Sequence, residues 1–165
     1  MVKQVCHNPT IHLIGDIAVT FGTLEFYLEG AIWLLLAGSD SELRRFGEAI
    51  TAEMSFDRKI HAFASMYKLK FPAEAQDPVL AELVADLFDV QGKRNHILHA
   101  AWSYSDKHKA FTWMKASAKA KHGLRRKVGV VPPAKVAEVR AQIVDVVNRF
   151  AQFAMERIQN RPDAG

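Results

Sequence analysis

The sequence predicts an all-α fold: a helical bundle of four to five helices with a short β-hairpin before the last helix. Apolar residues recur every three or four positions over most of the chain, the period of a helix with one buried side. Between about residues 102 and 113 that period gives way to alternation, which is typical of a hairpin. The length of 165 residues fits a single domain.

Capping signals predict the first two helices. Asn8-Pro9 opens the first helix, because Asn caps well and Pro is favoured at the first helical position. The apolar period continues to Ala37-Gly38, where glycine ends it. The segment 39–42 reads Ser-Asp-Ser-Glu, a capping box for a second helix. We expect its buried stripe to consist of Leu43, Phe46, Ala49 and Ile50.

Three further helices follow from the same signals. The third opens at Ser55 and ends before Pro72, because the residue before a proline disfavours helical torsions. The fourth opens at Asp77-Pro78 and runs to about residue 99. The last follows the proline pair 132–133. We expect one domain over 1–165, with an ordered bundle over 8–160 and a mobile tail over 161–165.

The end of the fourth helix carries polar residues on its apolar side. Gln91 and Asn95 occupy positions of the apolar stripe, and Gly92 lies between them. A glycine inside a helix costs about 1 kcal/mol relative to alanine. Polar groups on the buried side of a packed helix, beside a glycine, call for an explanation.

Positive charge is concentrated in one segment. Residues 107–127 hold eight Lys or Arg and no Asp or Glu, whereas the chain as a whole carries a net charge of +4. Its end, 119–127, is predicted to be a loop. The segment is either a solvated surface or an anion-binding one. In the second case the RNA-binding candidates are Lys119, Lys121, Arg125, Arg126 and Lys127.

Four aromatic residues alternate through the predicted hairpin: Trp102, Tyr104, Phe111 and Trp113. They pack against the bundle or stack on nucleic-acid bases, and the sequence leaves both open.

Composition excludes several classes of protein. The single Cys6 excludes an internal disulfide framework and a cysteine zinc cluster. The apolar run 31–37 is far shorter than the ~20 residues of a membrane span, and no signal peptide is visible. His96 and His99 have metal-ligand spacing but lack a third ligand. We expect a soluble, cytoplasmic protein without metal, cofactor or membrane contact.

Arg94, Asn95 and His99 form the most informative constellation. Asn95 and His99 are one helical turn apart and share a side. Arg94 and His99 differ by about 140° in direction and ~7.5 Å along the axis. One helix therefore does not aim both at a single atom, whereas a second copy across a two-fold axis could complete the site.

This run resembles the R-x(4–6)-H motif of HEPN domains, including the asparagine that often follows the arginine. His99-Ala100-Ala101-Trp102 is similar to the H-G-x-W of some bacterial members, with alanine in place of glycine. The residue-level match covers about 92–102, and the helical pattern covers most of the chain. In one branch of the family a tyrosine two positions after the histidine is modified by an antitoxin enzyme, but Ala101 stands there.

The resemblance implies a homodimeric, metal-independent endoribonuclease, a toxin or defence effector with an antitoxin partner. It assigns catalysis to Arg94, Asn95 and His99: the arginine on the scissile phosphate, the histidine in proton transfer and the asparagine in orientation. Residue chemistry agrees, because histidine titrates near neutral pH and arginine keeps its charge.

Two alternatives stay open. One is a non-catalytic homodimeric module that binds nucleotide, RNA or a protein partner. The other is an assembly module in which these residues are polar members of the core and neither bind a ligand nor catalyse a reaction.

Overall fold

The computed structural model describes residues 9–38, 40–105, 110–119 and 123–161. Within them lie five α-helices and one antiparallel sheet, so the predicted helical bundle is confirmed. The helices are α1 (Pro9–Ala37), α2 (Ser41–Ala52), α3 (Phe56–Lys70), α4 (Pro78–Leu98) and α5 (Pro133–Ala154). A 3₁₀ turn (Pro72–Glu74) joins α3 to α4, and a π-helical turn (Met155–Gln159) extends α5. The predicted cap Asn8 lies outside the described residues.

The core is built around α1, which packs against all four other helices. Its inner side carries Ile17, Leu24 and Leu28, which are fully buried, and Phe63 of α3 and Phe150 of α5 pack in the same core. By length and composition α1 is also the one described helix that could cross a membrane. The core helix of a soluble protein passes the same test, and the contacts of α1 with its neighbours fit that interpretation.

The predicted buried stripe of α2 is wrong. Leu43, Phe46, Ala49 and Ile50 are exposed, and α2 buries Gly47 and Thr51 instead. The indole Nε1 of Trp33 donates to the Thr51 hydroxyl at 2.8 Å. A Cβ on Gly47 would lie 3.0 Å from the Trp33 ring. Close approach to Trp33, together with this buried hydrogen bond, therefore sets the rotation of α2, and its larger apolar side chains face outward.

The predicted hairpin is a three-stranded sheet. The strands are β1 (Ala101–Ser105), β2 (Ala110–Lys119) and β3 (Gly123–Val130), in the order β1-β2-β3. The prediction of a loop over 119–127 is therefore wrong, because β3 covers most of it. Its run of three basic residues hides the alternation of an edge strand, and charged side chains are common on such strands because they discourage unwanted pairing.

Ion pairs fasten the bundle at two places. Lys59 of α3 is 3% exposed, and its ammonium donates to Glu25 of α1 at 2.6 Å and to Glu29. Burial alone lowers the pKa of Lys59, but the hydrogen bonds and charges of the two carboxylates outweigh it and raise that pKa above its usual value. The charged pairing therefore holds α3 against α1.

The second fastening lies at the other end of α3. The buried Tyr67 hydroxyl donates to Glu74 at 2.5 Å. Burial, followed by this hydrogen bond, raises the pKa of Tyr67 to about 12. Arg157 also binds Glu74, at 3.0 Å. Arg161, the first residue of the predicted mobile tail, pairs with Glu74 and lies over the Phe71 ring; residues 162–165 lie outside the described residues.

Candidate functional site

The end of α4 presents His99 to solvent. Asp77 caps the start of the helix through a 2.8 Å hydrogen bond from the Val79 amide, and His99 caps its end, its amide donating to the Asn95 carbonyl at 3.3 Å. The imidazole is exposed. It has no hydrogen-bond or ion-pair partner within the described residues, so both ring nitrogens are available to a ligand.

The Arg94 side chain, in contrast to that of His99, packs against α1. Its guanidinium carbon lies 5.0 Å from the centroid of the Phe21 ring, and its Nη1 donates to the Asn95 carboxamide at 3.0 Å. The Nε atom is buried and has no hydrogen-bond partner among the described residues. An unpaired buried donor costs about 1–3 kcal/mol, and native structures retain few of them.

The structure thus brings two of the three predicted catalytic residues together. Arg94 and Asn95 are hydrogen-bonded and half-buried. His99 contacts neither side chain in the described part of the chain. The divergence of Arg94 and His99 around the helix therefore persists in the folded single chain.

No family model, curated protein or solved structure matches the chain. Within the described ranges, no group of three or more His, Cys, Asp or Glu is arranged to hold a metal ion.

The predicted RNA-binding residues lie on the sheet. Arg125, Arg126 and Lys127 are exposed on β3. Lys119 ends β2 opposite Gly123, and Lys121 lies outside the described residues. Because side chains alternate between the faces of a strand, Arg125 and Lys127 share one face and Arg126 occupies the other.

The face with Arg125 and Lys127 also bears Lys115 of β2, which stands directly opposite Lys127. We call Lys115, Arg125 and Lys127 the cation row. Like charges directly opposite each other destabilise a sheet, and in the described chain none of the three forms an ion pair. An anionic ligand would relieve this repulsion.

Most of the predicted hairpin aromatics pack rather than stand free. Phe111 is buried. The Trp102 indole donates to the Ile97 carbonyl at 2.8 Å, and the Trp113 ring lies edge-on to His96, with centroids 4.6 Å apart. Tyr104 is 43% exposed. The packing interpretation therefore holds for three of the four.

Sequence reasoning missed a cavity of about 580 Å³ between α4, the sheet and the start of α5. Gly92, His96 and Trp102 line it. Gly92 had been noted as unusual in the sequence, but the cavity needs side chains from three distant segments, which no local pattern specifies.

Proposed function

We propose that the protein is a homodimeric, metal-independent endoribonuclease of the HEPN type. The observation that carries the proposal is the state of Arg94. Among the described residues its buried Nε has no partner, and the exposed His99, five residues later, has none either. A structural arginine is normally satisfied by an acid, and no carboxylate pairs with Arg94 in the described residues.

Arg94 is suited to bind the scissile phosphate. Its charge persists at all physiological pH values, and its donors fit two phosphate oxygens at once. Asn95 occupies Nη1 and thereby fixes the plane of the guanidinium. A phosphate on the remaining Nη donors would be bound by a group that is already oriented, which reduces the cost of reorganisation in the transition state.

His99 is suited to proton transfer, because the reference pKa of histidine, about 6.5, makes it effective at neutral pH. In the proposed reaction His99 takes the proton of a ribose 2′-hydroxyl, and the 2′ oxygen attacks the adjacent phosphorus. The bond from phosphorus to the 5′ oxygen breaks, that oxygen takes a proton from water, and the protonated His99 returns its proton to the hydroxide left behind. The products are a 2′,3′-cyclic phosphate and a 5′-hydroxyl.

A second copy supplies what one chain lacks. Since Arg94 and His99 of one helix diverge by about 140°, we propose that Arg94 of one copy acts with His99 of the other. Two equivalent sites then lie in one cleft across the two-fold axis.

An exposed side of α1 fits such contact between copies. We call Gly15, Ala18, Val19, Gly22 and Phe26 the α1 outer face; all five are exposed. Ala18 and Gly22 lie within about 100° of Phe21 around the helix, beside the ring that Arg94 covers. Small residues allow a second backbone to approach closely, and the exposed Val19 and Phe26 would be removed from water.

The cation row would hold the RNA backbone by charge, whereas Arg126 lies on the opposite face of the sheet. A ribonuclease of this kind acts in the cytoplasm as a toxin or defence effector, which an antitoxin partner would restrain.

The second candidate is a non-catalytic dimer that binds RNA or nucleotide without cleaving it. The contacts of Arg94 with Phe21 and Asn95 favour it, because they are also those of a fixed binding residue.

The proposed chemistry is tested in EDTA. The purified chain, incubated with single-stranded RNA and excess chelator, is expected to cleave at the same rate as without chelator. The fragments should carry 2′,3′-cyclic phosphate and 5′-hydroxyl ends, which mass spectrometry identifies. Binding without cleavage at high protein concentration would favour the second candidate instead, and fragments with 5′-phosphate ends would contradict 2′-hydroxyl attack.

A further inference from the structure

The cavity beside α4 has apolar walls and a charged rim. Its walls are Phe88, Ile97, Trp102, Val131, Val136 and Val139. Its volume of about 580 Å³ lies in the range of small-molecule and cofactor sites. At its rim, Lys93 pairs with Asp89, and Lys135 pairs with Glu138 at 2.6 Å. Exposed pairs of this kind are worth little, so their donors and acceptors can turn to a ligand.

Gly92 keeps this cavity open. A Cβ built on it would meet no protein atom within 4 Å, so neither close packing nor a special backbone angle requires glycine there. Glycine nevertheless weakens the helix. A side chain at position 92 would extend into the cavity, and its absence is what leaves room for a ligand.

His96 and Trp113 connect the cavity to the sheet face that bears the cation row. His96 lines the cavity and contacts the Trp113 ring. Trp113 lies on the sheet face that bears Lys115 and Lys127, two residues before Lys115 along β2. Two residues along a strand span about 7 Å. The apolar cavity therefore lies near the Lys115 end of the cation row, whose members form no ion pair within the described ranges.

We propose that the cavity binds one unpaired nucleobase, whose phosphates lie along the cation row. The phenyl and indole rings of Phe88 and Trp102 suit a flat aromatic ligand. The adjacent positive charge favours a ligand with more than one negative charge, which a fatty acid lacks. The inference rests on the RNA substrate proposed above, but not on its cleavage.

The test uses the His99→Ala chain, which would bind RNA without cutting it. Gly92→Leu in that background fills the cavity, and it should not lower the melting temperature because leucine is the better helix former. We expect it to weaken binding of a labelled single-stranded RNA octamer about tenfold or more, the effect of losing one base–aromatic contact. Gly92→Ala should weaken binding less. Ala81→Leu, at an exposed position on the same helix, should leave binding unchanged.

An abasic octamer separates base from backbone, because it keeps the phosphates but lacks the bases. It should bind the parent and Gly92→Leu equally weakly. Titration with single nucleoside monophosphates shows whether a free nucleotide suffices: Gly92-dependent binding of either probe supports the pocket. The proposed pocket would be overturned if Gly92→Leu and its parent bound the octamer with equal affinity and also bound the mononucleotides with equal affinity. Cleavage by the wild-type chain is measured separately. A protein that binds a base in the cavity but does not cleave RNA is thereby distinguished from one that cleaves RNA without using the cavity.

Discussion

Replacing His99 by alanine is expected to lower the rate of RNA cleavage by about 10²–10⁴-fold, the usual contribution of general acid–base catalysis. The imidazole is exposed and unpaired within the described chain, so the loss should be chemical rather than structural. The melting temperature should barely change, because substitutions at exposed positions seldom alter stability by more than about 0.5 kcal/mol. RNA affinity should also stay close to that of the wild-type chain.

His61→Ala is the matched control for this effect. His61 is another exposed histidine, on α3; its contact with Asp57 spans 3.9 Å, and its ring centroid lies 5.2 Å from that of Phe88. The variant should cleave RNA as fast as the wild-type chain. Equal rates for His99→Ala and His61→Ala would remove His99 from the mechanism.

Replacing Val19 by arginine is expected to separate the copies and abolish cleavage together. Val19 is 73% exposed in the single chain, so the substitution should leave each copy folded. Across a two-fold axis two arginines would face each other, and like charges in an interface cost several kcal/mol. Self-association should therefore weaken by about 100-fold or more, measured by sedimentation, and the specific activity should fall with the dimer population.

Leu69→Arg makes the same chemical change on α3, where Leu69 is 82% exposed. This variant should sediment and cleave like the wild-type chain. A Val19→Arg chain that remains a dimer would exclude the α1 outer face as the interface. A monomeric Val19→Arg chain with full activity would show that one copy suffices.

Local signals predicted the helices well. Capping residues and prolines act within one turn, so the cap at Asp77 and the break before Pro72 were readable from the sequence. The buried side of α2 was not, because it depends on how closely Gly47 approaches Trp33 in another helix. The spacing of apolar residues shows only which side of a helix is apolar. In α2 the buried residues, Gly47 and Thr51, are small rather than strongly apolar.

The candidate site was predictable in identity but not in arrangement. The motif singled out Arg94, Asn95 and His99, and helical geometry anticipated that Arg94 and His99 diverge. Nothing near Arg94 in the sequence specified the Phe21 ring beneath it, since Phe21 belongs to α1. The third strand was missed because three consecutive cations concealed its alternation. With that strand, the alignment of Lys115 with Lys127 was also missed.

Mixing two inactive chains shows whether Arg94 of one copy acts with His99 of another. Arg94→Ala and His99→Ala chains are purified separately, unfolded together, refolded and assayed. About half of the dimers should be mixed, each with one intact composite site, so about a quarter of wild-type cleavage should return. If the mixture stays as inactive as its components while mixed dimers are present, the two residues do not act across the dimer, and the account is contradicted.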